Sequence, residues 1–214
     1  ADIVKTQNRS LEFCLFISLP SAAGLFILST PIIHILFERG AFLAEDTLYT
    51  AKVLSVFALG LPAYILIKVL VTCYFAREDT KTPLYISVIS VIINIVVSLA
   101  LIGSMREMGI ATATAISAWI NALLLYVVLR MRNNILLDTR MIWNSAKIIL
   151  ATIIMMSACY FLNEMVFANL TFINTLTNLG LLLLVIILCK ILYIGTIFML
   201  KVITIDQLKG YISK

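Results

Sequence analysis

Apolar runs long enough to cross a bilayer recur along this chain, and they constrain its fold class more than any other feature. A hydrocarbon core about 30 Å thick is crossed by roughly 20 apolar residues in a helix. Hydrocarbon offers the backbone no hydrogen-bond partner, so each run must be a helix that satisfies its own N–H and C=O groups. The short alternating segments of a membrane β-barrel are lacking. Hydrophobic residues make up 62% of the chain and charged residues 13%, against about half and a quarter in a soluble domain. The reading is an all-α, polytopic membrane protein.

Periodicity and length predict six spans at about 11–36, 47–75, 82–103, 108–130, 143–163 and 174–200. Pro20 and Pro31 predict a kink or break near the far end of the first. "FERGAF" reads as a turn with Gly40 as its left-handed residue, and Pro83 suits the first turn of the third helix. Gly103 and Gly109 bracket a polar turn, and the tail KVITIDQLKGYISK reads as an interfacial helix or a frayed end. The polar start ADIVKTQNRS, opening on Ala1, suggests a portion of a longer protein entered at a loop. Cys14, Cys73, Cys159 and Cys189 fall in or beside apolar runs without metal or paired-bridge spacing, as buried free thiols would.

Six crossings put both ends on one side. Lys5, Arg9, Arg77, Lys81, Arg130, Arg132, Arg140, Lys147, Lys201, Lys209 and Lys214 gather there, against Arg39 and Arg106 opposite, with Lys52 near the edge. Such a bias marks the first side as cytoplasmic and accounts for the net charge of +5 without invoking nucleic acid. The turn "AREDTKTP" is then a cytoplasmic anchor. Its Glu78 and Asp79 can pair locally, and Asp79 or Thr80 can cap the helix entered at Pro83.

Polar residues recur inside the spans. Gly60, Tyr64, Lys68 and Thr72 form one stripe on the second helix. An amine within a span either faces hydrated space or snorkels to the surface, and Lys68 fits both. The third helix carries Ser87, Ser90, Asn94 and Ser98, and the fourth carries Thr114, Ser117 and Asn121 beside Ala111, Ala115, Ala118 and Ala122. Small residues allow close helix approach, with hydroxyls and amides bonding across the contact. The alternative is that Asn94, Ser98 and Thr114 converge and offer oxygens to a cation or substrate. Lys190 lies well inside the last span and faces a groove, a partner helix or a lipid phosphate. His34 reads as an interfacial histidine. No embedded Asp or Glu is expected in the spans, which argues against a complete proton pump. No nucleophile constellation, metal cluster or phosphate loop appears, so neither an enzyme nor a cofactor is expected, and ion coupling stays open.

Taken together, "PIIHILFERGAF", "GLPAY" with its following lysine, "FAREDTKTP" and "VIINIVVSLALIGSMREMGIATATAISAWIN" resemble the MurJ (MviN) family of lipid II flippases. That family belongs to the multidrug/oligosaccharidyl-lipid/polysaccharide exporter superfamily. The resemblance implies a bacterial cytoplasmic-membrane protein with both ends cytoplasmic. Residues 1–135 would form a four-helix portion of the second flippase lobe, and 136–214 two further helices with a cytoplasmic tail. Partners would be lipid II, membrane lipid and an amino-terminal lobe outside this sequence. Lys68, Tyr64, Thr72, Arg77, Asp79, Lys81 and Asn94 would line a substrate cavity or its cytoplasmic gate. Thr80 and Pro83 match the same charged turn, while Glu38, Arg39, Gly40 and Phe42 match the outer loop. Lys190 would lie at a groove for the polyprenyl tail. Asn94 and Thr114 match a sodium site of some relatives, but Ser98 stands where a carboxylate is needed, leaving at most a weak cation site. The rival readings are an exporter of another polysaccharide-lipid or of drugs, and a non-transporting scaffold.

Overall fold

The computed structural model describes residues 2–132, 138–167 and 175–202; the tail read as interfacial or frayed lies almost wholly outside them. The elements are α1 (Asp2–Ile27), α2 (Ser29–Phe37), α3 (Ala44–Phe75), α4 (Lys81–Met105), α5 (Glu107–Met131), α6 (Thr139–Phe167) and α7 (Thr175–Met199). Six of them, all but α2, are long and apolar enough to span a bilayer. The chain is a multi-pass membrane protein.

The helices pack side by side in the order α4, α5, α3, α1, α6, α7, with short α2 lying on α3 and α7. Alternating directions give the row two ends. One carries the α2–α3 turn at Gly40, the other the α3–α4 turn at Asp79. A buried cluster including Leu28, Ile148, Met155, Val185 and Ile197 joins α1 and α2 to α6 and α7. A second, including Leu11, Leu70, Tyr74, Leu125 and Leu129, joins α1, α3 and α5 towards the Asp79 end. Between α3 and α5 the core is Ala63, Ala118 and Ala122, so the backbones approach closely. A Cβ on Gly60 would stand 3.3 Å from the Cα of Ala115. The alanines read as packing residues on α5 do form a seam, and Gly60, read as part of the α3 stripe, belongs to it.

The predicted break falls at Leu28, just ahead of Pro31 in the first turn of α2. There its missing N–H is harmless, and its ring opposes continuation from α1. Pro20, by contrast, stays inside a continuous α1. It cannot donate to the carbonyl four residues back, that of Phe16. The hydroxyl of Tyr193 on α7 donates to that carbonyl at 2.8 Å, and the two rings lie 5.5 Å apart. A backbone group freed in hydrocarbon has thus been met from a neighbouring helix. Pro62 also sits within an unbroken α3. It frees the carbonyl of Ala58, and one residue along, that of Leu59 accepts the indole N–H of Trp119 on α5 at 3.0 Å.

Gly40 has φ +63, as its turn requires. The α4–α5 turn differs from the expectation in detail. Helix α4 runs past Gly103 to Met105, and the reversal is made by Arg106 at φ 49. Gly109 is needed for another reason: a Cβ there would come 2.8 Å from the carbonyl oxygen of Leu101. Glu12 corrects the expectation that the spans hold no carboxylate. It lies within α1, and its Oε1 accepts from the amide of buried Asn144 on α6 at 2.6 Å.

The Pro20–Tyr193 contact is testable by a double-mutant cycle. Tyr193→Phe should cost about 1–3 kcal/mol by orphaning a buried carbonyl. In a Pro20→Ala background the restored N–H takes that carbonyl, and the same change should cost well under half as much. Equal costs in both backgrounds, measured by reversible unfolding in detergent, would contradict the account.

Candidate functional site

The stripe on α3 divides in two. Gly60 and Tyr64 face α5, and the Tyr64 hydroxyl reaches the carbonyl of Thr114 at 3.4 Å. Lys68 and Thr72, one and two turns on, are exposed. Thr72 satisfies its hydroxyl on the carbonyl of Lys68 at 2.9 Å, and the Lys68 side chain is left uncovered by the neighbouring helices. Five residues further on, Cys73 faces inward and is buried. Next to it, the Tyr74 hydroxyl donates to the carbonyl of Leu125 at 2.9 Å inside the α3–α5 contact. These aromatic donors fix the rotation of α3 and hence the direction of Lys68.

At the turn, the charges do not pair with their chain neighbours as expected. Asp79 accepts from the backbone N–H of Thr82 at 3.0 Å and from its hydroxyl at 2.7 Å, capping α4. It also takes Nη1 of Arg132 at 2.6 Å, from just beyond α5, while Nη2 of Arg132 donates to the Thr82 hydroxyl at 3.2 Å. The Thr82 bonds first, and then Arg132, hold its carboxyl at about 2, against an ordinary 3.8. Arg77 folds back to donate to the carbonyl of Cys73 at 2.6 Å. With its amide oxygen turned towards that guanidinium, buried Gln7 of α1 accepts from it at 3.0 and 3.2 Å. Glu78, at φ 58, and Lys81 are exposed. Arg77 and Asp79 therefore shape the turn, whereas Glu78, Lys81 and Lys68 present charge.

Asn94 meets α5 through its amide N–H, which donates to the hydroxyls of Thr114 at 3.2 Å and Ser117 at 3.1 Å. A hard cation needs oxygen lone pairs, and this orientation offers the nitrogen instead. The Oγ of Ser98, one turn on, is buried without a hydrogen-bond partner. The geometry is that of a polar bond between packed helices. Ser90 likewise bonds back to the carbonyl of Ile86 at 2.9 Å.

At the Gly40 end, Oε2 of Glu38 receives Nδ1 of His34 at 2.7 Å and the hydroxyl of Thr47 at 2.6 Å, tying α2 to α3. The Thr47 bond, with His34 adding to it, draws the Glu38 carboxyl below the ordinary carboxylate range. Arg39 caps the end of α2 through the carbonyls of Leu36 at 2.9 Å and Ile35 at 3.3 Å. Lys190 is exposed on the outer side of α7 among exposed Ile187, Leu188 and Ile191. The cysteines are free, buried at 73, 159 and 189 and half-buried at Cys14.

The family model described as "Lipid II flippase MurJ" matches residues 1–180. The chain belongs to the MurJ family. Its match extends through α6 into α7, beyond the motifs that carried the resemblance to residue 135. A probable lipid II flippase MurJ of Rhizobium meliloti (strain 1021) is 44% identical over 154 residues, covering 72% of this chain and 29% of the relative. One from Rickettsia prowazekii (strain Madrid E) is 38% identical over 203 residues, 95% of this chain and 40% of the relative. A solved structure titled "Lipid II flippase MurJ, inward closed conformation" superposes with a TM-score of 0.72 at 32% identity, covering 91% of this chain and 39% of that one. The chain thus spans well under half the length of these MurJ relatives.

The Asp79 knot should respond to acid in a defined window. Because its folded pKa lies below the unfolded value, its contribution is fully present above about pH 4 and fades as pH falls towards 2. Nitroxide labels at Thr80 and Met131 should report an unchanged distance distribution from neutral pH to about 4, then broaden. Asp79→Ala should be broad throughout; a wild-type distribution that broadens near neutrality would contradict this assignment.

Proposed function

We propose that this chain forms the carboxy-terminal part of a flippase that carries lipid II from the inner to the outer leaflet of a bacterial cytoplasmic membrane. A headgroup of sugars, peptide and pyrophosphate cannot cross hydrocarbon unaided, because its charges and polar groups would lose their water without replacement. A cavity that offers cations and amides substitutes for that water while the polyprenyl chain stays in lipid. Two lobes rocking about the cavity would expose it to each side in turn. The observation that carries this reading is membership of the MurJ family across most of the chain, together with a lysine inside a span that the packing leaves exposed.

The Asp79 end is taken as cytoplasmic, since Arg9, Arg77, Lys81, Arg130, Arg132, Arg140 and Lys147 gather there against Arg39, Arg106 and Lys52 at the other. Lys68 would face the anionic headgroup, with Tyr64 packed above it and Thr72 below. Lys81 would meet the opposing lobe when the cytoplasmic side closes. Arg77 and Asp79 would act by holding the turn in shape, Asn94 by fixing α4 on α5. Lys190 would sit beside the lipid tail.

In cells depleted of the native flippase and complemented with the full-length protein, Lys68→Gln should insert normally. It should leave lipid II at least tenfold less accessible at the outer face than wild type, as expected for losing about 1.5–3 kcal/mol from a charged hydrogen bond. Wild-type accessibility in that variant would remove Lys68 from the mechanism. Normal accessibility without any complementing protein would remove the flippase reading itself.

A further inference from the structure

Two weak points in the helices set off one part of the chain at the Gly40 end. Between α1 and α2 the helix is interrupted at Leu28, and Pro31 brings no N–H to the carbonyl of Ile27. In α3, Pro62 brings none to the carbonyl of Ala58, and among the described residues no side chain donates to that carbonyl. Pro20 differs, because Tyr193 takes the place of its missing donor. Long helices bend at prolines, and one whose lost bond is not replaced resists bending least. Between the two points lie α2, the Gly40 turn and the first half of α3, and these are bound tightly to one another. Glu38 holds His34 at 2.7 Å and the Thr47 hydroxyl at 2.6 Å. Asp46 accepts from the N–H of Leu43 at 2.9 Å, and the rings of Phe37 and Phe42 lie 6.3 Å apart.

This unit stands off from α6. An open groove of about 530 Å³ separates Thr30, His34 and Leu48 from Asn163, Glu164 and Phe167 in the last turns of α6. The first half of α3 buries small side chains, Ala51 and Ala58, and Gly60 lies against Ala115. Contacts without large interdigitated side chains tilt with little loss of packing. Past Pro62, Leu70 and Tyr74 interlock with Leu125 and Leu129, and the turn beyond is bonded to Gln7 and Arg132, so the second half is fixed. We propose that α2, the Gly40 turn and α3 up to Pro62 form a flap that swings as one body about Leu28 and Pro62 and closes the groove onto α6. Trp119 holds the carbonyl of Leu59 at 3.0 Å, close to the pivot, where a swing displaces atoms least. Ile35 of α2 packs in the cluster shared with α6 and α7, and that contact slides as the flap moves. A tilt of about 10° over the roughly 27 Å from Pro62 to the start of α3 carries its end about 5 Å.

The test uses the full-length protein in lipid nanodiscs, with nitroxide pairs running from exposed Leu36 on α2 and from exposed Tyr49 on α3 to exposed Met165 on α6. In wild type each pair should show two distance populations about 5 Å apart, in the same proportions for both pairs because the flap is one body. Pro62→Ala restores the missing N–H and should collapse each pair to one population. Pro31→Ala should do the same at the other pivot, and carries the test if the first variant fails to insert. Thr47→Val cuts the bond joining α2 to α3 and should make the proportions of the two pairs diverge. One narrow population at each pair in wild type would overturn the flap. So would two populations that persist in both proline variants, or wild-type proportions that differ between the pairs. The distances are read without lipid II, so the flap and the flippase reading can fail separately.

Discussion

Inside hydrocarbon, a backbone carbonyl without a donor has no water to turn to, and the arrangement of these helices follows from how such groups are met. Pro20 frees the carbonyl of Phe16, and Tyr193 crosses from α7 to take it. Trp119, Tyr64 and Tyr74 place three further donors on carbonyls across the α3–α5 contact. Each bond sets a rotation as well as a distance. With Gly60 and Ala63 pressed on the alanines of α5, α3 can turn only one way, and Lys68 is then aimed at the open face.

The same fixing of α3 extends to the Asp79 end. The turn after α3 is held on one side by Arg77 reaching Gln7 of α1 and on the other by Arg132 reaching Asp79. A charged turn with its own salt bridges would be a loose surface feature. This one is instead tied to α1, to the start of α4 and to Arg132 just beyond α5. At the far end, Glu38 ties α2 to α3 through His34 and Thr47, so α3 is anchored at both of its termini.

Much of this was readable from residue order alone. Long apolar runs required six helices, Pro31 located the break, and Gly40 was the left-handed turn residue. Small-residue spacing on α5 marked its contact face. What escaped was everything that depends on which helices become neighbours. Nothing in the spacing of Asp79 and Arg132 joins residues so far apart, and local charge pairing was the natural expectation. Tyr193 could not be assigned to the carbonyl freed by Pro20 until α7 was known to reach α1. Glu12 sits at the polar start of α1, where a carboxylate gives no sign of an inward role, yet its partner Asn144 is buried. Asn94 and Ser98 lie on one helical face, yet only Asn94 makes a hydrogen bond to α5.

The proposed function requires that Lys68, left uncovered by the packing of α3 on α5, face hydrated space while its near neighbour Cys73 stays sealed in the core. Thiol labelling of the full-length protein in intact membranes measures both positions at once. A membrane-impermeant maleimide should modify a Lys68→Cys variant rapidly from at least one side and leave the native Cys73 unreacted until the protein is denatured. An introduced thiol at position 68 that resists the reagent from both sides, or a Cys73 that reacts as readily, would contradict the orientation of α3 on which the rest is built.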